Sequence, residues 1–165
     1  MSRAGALAPA AVHDAGHVNY SVRVVRFAVV REALGPAPRT LSTPEAVATL
    51  ALELIPDDAR EHFGVFLLNA RNGLIAYHEV STGTLSASLV HPREVFGPAL
   101  RVMGVASLIL VHNHPSGDPE PSREDIRLTR QLVDASKVLE LAVHDHVIVG
   151  NGSDAYVSLA SRGLI

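Results

Sequence analysis

The 165-residue sequence contains no cysteine. Disulfides, zinc sites closed by thiolates and a cysteine nucleophile are therefore all excluded. Aromatic residues make up only 4% of the chain. Core volume must come from Val, Leu, Ile and Ala, and there is no aromatic platform on which a single nucleic-acid strand could stack. Basic residues are few and scattered: thirteen Arg and one Lys give a net charge of −3. That lacks the electrostatic footprint of a DNA binder, so no strong nucleic-acid binding is expected. No apolar run reaches the 18 residues of a membrane span, and residues 1–17 lack the apolar stretch of a signal peptide. Together with a C-terminus that shows no address signal, this predicts a cytoplasmic protein without a membrane partner.

What is present is a compact composition, with 47% hydrophobic and 19% charged residues. The length suits one domain that buries about two-thirds of its unfolded surface. Small, irregular residues over 1–18 predict a disordered start, followed by one folded domain over 19–165. His13 and His17 would be one helical turn apart, but Pro9 and Gly16 weaken any helix there and favour a solvated tail. β-branched residues from Asn19 to Arg31 suggest a strand, and Gly35-Pro36-Ala37-Pro38 a turn. A helix follows from Pro44 to about Ile55, capped by Ser42 or Thr43, with Val47, Leu50, Ala51 and Leu54 as its apolar stripe. Runs at 63–69 and 74–80 are two strands joined through Asn72-Gly73, a hairpin signal. Pro92 to about Met103 reads as a helix with Val95, Phe96, Leu100 and Met103 toward the core and Gly104 as its stop. Residues 105–111 form a continuous apolar run typical of a fully buried strand. An amphipathic run from Ser122 to about Val138 carries Ile126, Thr129, Leu132, Val133 and Ser136 on one face, and strands at 141–150 and 156–159 complete the chain. Strands alternating with helices imply an α/β sandwich.

The stretch His112-Asn113-His114-Pro115 to Asp125 has chemistry that packing does not explain. Alternation along the buried strand sends His112 and His114 to one face and Asn113 to the other, so two imidazoles meet. Pro115 ends the strand, a turn follows, and Asp125 falls in the first turn of the next helix. Two imidazoles and one carboxylate are the three ligands of a catalytic zinc whose fourth position is kept for water. Ser122-x-x-Asp125 is equally a variant of the helix capping box, with Ser122 as N-cap. His144 and His146 repeat the His-x-His pattern, but no acid-capped helix follows them, so roles behind the metal ligands or in sheet packing are expected. His91 has no partner at ligand spacing and reads as a helix-terminal residue. Glu79 follows Ile75 and Tyr77 on one strand face, where desolvation would raise its pKa toward that of a proton shuttle. Composition alone does not prefer it over Glu61, Glu94 or Glu124.

The same residues carry a resemblance. His-x-His, seven residues, Ser, two residues, Asp resembles the JAMM motif of the MPN+ (JAB-type) metalloproteases, and Asn113-His114-Pro115-Ser116-Gly117-Asp118-Pro119 together with Pro121-Ser122 is similar to its bacterial RadC branch. Gly83-Thr84-Leu85, Val90-His91-Pro92-Arg93-Glu94-Val95-Phe96, Asp145-His146-Val147-Ile148-Val149-Gly150 and Tyr156-Val157-Ser158-Leu159 extend it over about residues 42–165. The resemblance implies a JAB/MPN-like mixed, curved β-sheet flanked by helices, an architecture related to that of cytidine deaminases. It implies one Zn2+ per chain on His112, His114 and Asp125, Glu79 as general base on the strand before the helix, and Ser122 as donor to the oxyanion. The implied activity is that of a metallopeptidase, a hydrolase of peptide or isopeptide bonds in a protein or peptide substrate, with a ubiquitin-like modifier among the candidates. A DNA-repair role acting on or near nucleic acid is the alternative that the RadC label carries. Only about twenty residues precede the first expected strand, so the helix-hairpin-helix module usual in that branch is not expected within this sequence. A non-catalytic, metal-stabilised binding module is a third reading. Nucleobase deaminases need His-x-Glu and Pro-Cys-x-x-Cys, which a chain without cysteine cannot supply. The sequence carries no sign of an oligomeric state.

Overall fold

The structure is a computed structural model that describes residues 40–83 and 90–165. The expected tail, the strand at 19–31, His13, His17, the turn at Gly35, and Thr84-Leu85 lie outside the described residues. The first helix, α1 (Pro44–Leu54), begins where Thr43 accepts from the Ala46 N–H at 3.3 Å, with Pro44 at its first position and Glu45 in its first turn. Each feature satisfies or matches the unpaired N–H groups of a helix start. It stops at Ile55, which turns extended before Pro56 as the residue ahead of a proline must.

Two strands follow, β1 (Glu61–Leu68) and β2 (Leu74–Gly83), paired antiparallel. Asn72 takes the left-handed conformation (φ 57°), and the Asn69 side chain accepts from the N–H groups of Arg71 and Gly73. The hairpin read from Asn72-Gly73 therefore has a local cause. Next come α2 (Pro92–Ala99), β3 (Ser107–His114), α3 (Arg123–Leu139), β4 (Ala142–Gly150) and β5 (Tyr156–Ser158). The five strands form one mixed sheet in the order β2-β1-β3-β4-β5, with β3 and β4 parallel. Parallel neighbours need a crossover, and α3 provides it.

Helices cover both faces. On one, α1 packs Val47, Leu50 and Ala51 against Phe66, Ile109, Val111 and Val147. On the other, Val95 and Phe96 of α2 and Leu128 and Leu132 of α3 meet Phe63, Val65, Leu108 and Leu110. Strands β1 and β3 are thus covered twice, which is why they read as nearly continuous apolar runs. This is the α/β, JAB/MPN-like architecture expected from the sequence. Among the described residues, no helix is long and apolar enough to cross a membrane.

Three local expectations need correction. Helix α2 ends at Ala99, and Leu100 and Met103 are 58% and 95% exposed, not in the core. Pro98 has no N–H to continue the ladder and its ring crowds the carbonyl one turn back, so the chain tightens and leaves the helix. Along α3 the buried stripe is Asp125, Leu128, Thr129, Leu132 and Ser136, with Ile126 and Val133 only half-buried. The helix is rotated so that Asp125 points inward. In β4 an irregularity in its pairing with β3 falls at His144, between Val143 and Asp145. His144 is exposed and lines a cleft with Leu41 and Val47 on the α1 side, while His146 is buried toward α3, so the two do not share a face.

Gly64, in the middle of β1, sits beneath the ring of Tyr77, and a Cβ there would run into the ring. We expect Gly64→Ala to cost about 1–3 kcal/mol by forced displacement of Tyr77. Urea unfolding of the variant measures it, and a loss within a few tenths of zero would show that Tyr77 moves freely.

Candidate metal centre

The end of β3 places His112 and His114 on the α3 face, and the inward-turned first turn of α3 brings Asp125 to them. His112 Nε2 and His114 Nε2 are 3.0 Å apart, with Asp125 Oδ1 3.4 Å from the first and Asp125 Oδ2 3.5 Å from the second. A tetrahedral ion with metal–nitrogen bonds near 2.0–2.1 Å separates its ligand atoms by about 3.3 Å. The donor set and its spacing therefore fit a metal ion such as zinc. His112 is fully buried, Asp125 nearly so, and half-buried His114 marks the side open to solvent.

Each ligand is held from behind. His114 Nδ1 lies 2.7 Å from the Asp118 carbonyl, which can only accept, so Nδ1 carries a proton and Nε2 is the nitrogen left to face an ion. The loop supplying that carbonyl rests on the end of β4, where a Cβ on Gly150 would strike the Gly117 carbonyl. Asp125 is held by a reciprocal capping box: Ser122 N–H donates to Asp125 Oδ2 at 2.7 Å, and the Asp125 N–H donates to Ser122 Oγ at 3.1 Å. His112 Nδ1 is 2.8 Å from His146 Nε2, His146 Nδ1 is 2.6 Å from Thr129 Oγ1, and the Thr129 hydroxyl donates to the Asp125 carbonyl at 2.6 Å. Phe63 stacks on His112 and sets its ring against His146.

Burial pushes His112 well below the ordinary histidine value and His146 down to about 4. Burial would push Asp125 up, but the hydrogen bond from His114, the nearby His112 and the bonds from Ser122 outweigh it and hold the carboxyl well below its usual range. A neutral imidazole and an ionised carboxylate are the ligating states. His114 moves the other way, raised chiefly by its hydrogen bond to Asp125.

Glu79 is not brought to this group. It lies on the opposite face of the sheet, paired with Gly64, and its Oε1 is 2.6 Å from His62 Nδ1. Its side chain is 45% exposed, and the His62 hydrogen bond lowers its pKa, where desolvation was expected to raise it. His62 is buried between Glu79 and Asp58, whose Oδ1 is 3.0 Å from His62 Nε2. Burial alone would lower His62, but both hydrogen bonds and both charges overcome it and raise its pKa. The glutamate on the metal face is Glu61. It precedes by two residues Phe63, which pairs with His112, and its charge acts on His114. The apolar pattern starts the strand at Phe63, so Glu61 falls outside it in the sequence. Alternation back from Phe63 was the signal available, but only with the β1–β3 pairing in hand.

His146 stands directly behind His112, and His91 caps α2 by accepting from the Arg93 N–H at 3.2 Å. Asp145 accepts from Ser158 Oγ at 2.6 Å and from the Ala160 N–H at 3.0 Å, which ties β4 to β5. A cleft lined by Leu52, Ile55, Asn113 and Asn151 lies on the α1 face and contains none of the three ligands.

A five-stranded mixed sheet between helices, with a His-x-His strand end facing an aspartate at the head of the crossover helix, defines a JAB/MPN-like domain with a candidate metal site. Residues 41–164 match the RadC-like JAB domain family, and the chain belongs to it. It is 51% identical over 122 residues to a UPF0758 protein of Desulforamulus reducens, covering 74% of this chain and 52% of that one. Identity to UPF0758 protein STH371 of Symbiobacterium thermophilum is 47% over 137 residues, covering 82% and 57%. A UPF0758 protein of Rubrobacter xylanophilus is 47% identical over 140 residues, covering 85% and 59%. The chain thus spans about half the length of the curated relatives it matches.

Two outcomes follow from this geometry. Metal analysis should find one ion per chain in the wild type and a sharp loss in His112→Ala, His114→Ala and Asp125→Ala, because three ligands are the minimum for such a site. Retention in all three variants would place the ion elsewhere. A separate measurement concerns His62, whose folded pKa is raised above 6.5. Its contribution to stability is complete below the unfolded value of about 6.5 and is lost as pH rises through the folded value. Glu79→Gln should lower the His62 pKa in an NMR titration and flatten the dependence of stability on pH above 6.5. An unchanged titration would show that Asp58 alone sets it.

Proposed function

We propose that this domain is a zinc-dependent metallopeptidase, a hydrolase that cuts an amide bond in a protein or peptide substrate, isopeptide bonds to ubiquitin-like modifiers included. The observation that carries this reading is the convergence of two imidazole nitrogens and one carboxylate on a point open on one side, with Glu61 on the same sheet face. His112, His114 and Asp125 would hold the ion. Zinc in such a site lowers the pKa of a water to about 7 and polarises a carbonyl.

The chain's own groups do the rest. Glu61 takes the place first expected for Glu79: it accepts the proton of the attacking water and delivers it to the leaving amine. Ser122 serves both of its readings. Its oxygen accepts from the Asp125 N–H, which leaves its own hydrogen free to point outward at the oxyanion from the exposed head of α3. Composition supports a protein substrate over duplex DNA, since a net charge of −3 with scattered arginines offers phosphates no continuous basic surface.

Glu61→Gln should retain the metal and lower kcat on fluorogenic peptides by about 10²-fold or more, while Glu79→Gln leaves kcat near wild type. The reverse pattern returns the general base to Glu79. Ser122→Ala should cost about 1 kcal/mol of stability through the cap and lower kcat by roughly 10²–10³. Loss of stability with kcat intact would confine Ser122 to the cap.

A further inference from the structure

The hydrogen bonds behind His112 can be given a direction one proton at a time. Thr129 Oγ1 is 2.6 Å from the Asp125 carbonyl and 2.6 Å from His146 Nδ1. A carbonyl has no proton, so the single hydroxyl hydrogen goes to Asp125 O, and Thr129 can only accept from His146. His146 Nδ1 is therefore protonated. His146 is fully buried, its two nitrogens meet only a hydroxyl and another imidazole, and a buried cation there would lack a paired anion. It is neutral, and its Nε2 presents a lone pair. His112 Nδ1, 2.8 Å away, must then be the donor, and the proton-free nitrogen of His112 is Nε2, which faces His114 and Asp125.

We infer that His146 and Thr129 are positioning residues that fix His112 in the Nδ1–H tautomer and so aim its Nε2 lone pair at the metal. The inference rests on the metal reading of the site. The chain of donors returns to the main chain of Asp125, so the same hydroxyl that sets the tautomer on β3 also anchors the ligand-bearing turn of α3. Without the hydroxyl, nothing holds the His146 proton on Nδ1. If it moves to Nε2, His146 donates to His112 Nδ1 and forces the His112 proton onto Nε2, where it blocks the ion. A role in packing alone would be satisfied by any side chain of the same shape.

Two-bond ¹H–¹⁵N spectra of the full chain, stripped of metal by a chelator, report each imidazole tautomer directly. We expect Nδ1–H for both His112 and His146, and an Nε2–H tautomer at His112 overturns the inference without touching the metal assignment. Zinc affinity, measured by competition with a chromophoric chelator, should fall about 10–100-fold in the isosteric Thr129→Val and stay within a few-fold of wild type in Thr129→Ser. Wild-type affinity in Thr129→Val overturns the inference, as does an equal loss in both variants. Should Thr129→Val fail to fold, the spectra of the wild type still decide. A wild-type chain that takes up no zinc removes the metal reading itself, whatever the tautomers.

Discussion

Asn113 is the residue on which the geometry of the centre depends. It sits between the two histidines, points to the opposite face of β3, and is fully buried. Its Oδ1 accepts from the His62 N–H at 2.6 Å, and its Nδ2 donates to the Arg60 carbonyl at 3.0 Å and to Asn151 Oδ1 at 2.8 Å. Asn151 in turn donates through Nδ2 to the Asp58 carbonyl at 2.9 Å and through its backbone to His114 O at 3.1 Å. One amide thus fastens the entry to β1 and the turn after β4 to the strand end between the ligands. Buried polar groups are tolerated when every bond is made, and a complete set gives a single arrangement. The sheet behind the candidate ion is pinned from the face that the ion never touches.

On the other face the ligands are fixed by groups with two uses. The capping box at Ser122 starts α3 and also turns the Asp125 carboxylate inward. Thr129 bonds the helix backbone one turn back and also reaches His146. Helix initiation and the orientation of Asp125 are therefore one set of hydrogen bonds. The rotation of α3 follows from this: with Asp125 required inside, residues spaced three, four, seven and eleven further on share its face, and Ile126 and Val133 move toward the edge.

Local signals in the sequence carry most of this. Asn72-Gly73, Thr43-Pro44 and Ser122-Arg123-Glu124-Asp125 announce turns and caps whose chemistry is complete within four residues. The His112–His114 pair is legible for the same reason, since alternation alone makes two imidazoles meet. What is not legible depends on pairing between distant segments. Nothing near Glu61 says that β1 lies antiparallel beside β3, and nothing near Glu79 says that a buried His62 awaits it. His146 becomes a partner of His112 only through the parallel β3–β4 register and the irregularity at His144, which sets which side chains face α3. The misplaced end of α2 is different in kind. Pro98 stands in the sequence as a local stop, and the backbone obeys it although the apolar spacing runs on through Leu100 and Met103.

The three ligands, the residues behind them and the crossover helix all fall within one β-α-β unit, from Ser107 to Gly150. Loop-closure entropy grows only slowly with length, and α3 shortens the effective loop by forming locally. One closure, of β4 beside β3 across α3, therefore brings all three candidate ligands together, and the contacts of Asn113 with Arg60 and His62 add the support of β1. Phe63 and Glu61 come from outside this unit, on the β1–β2 hairpin. The candidate ligands and the glutamate that faces them are thus written on separate pieces of chain: a swap or break in the β1–β2 hairpin would remove Glu61 and leave His112, His114 and Asp125 together.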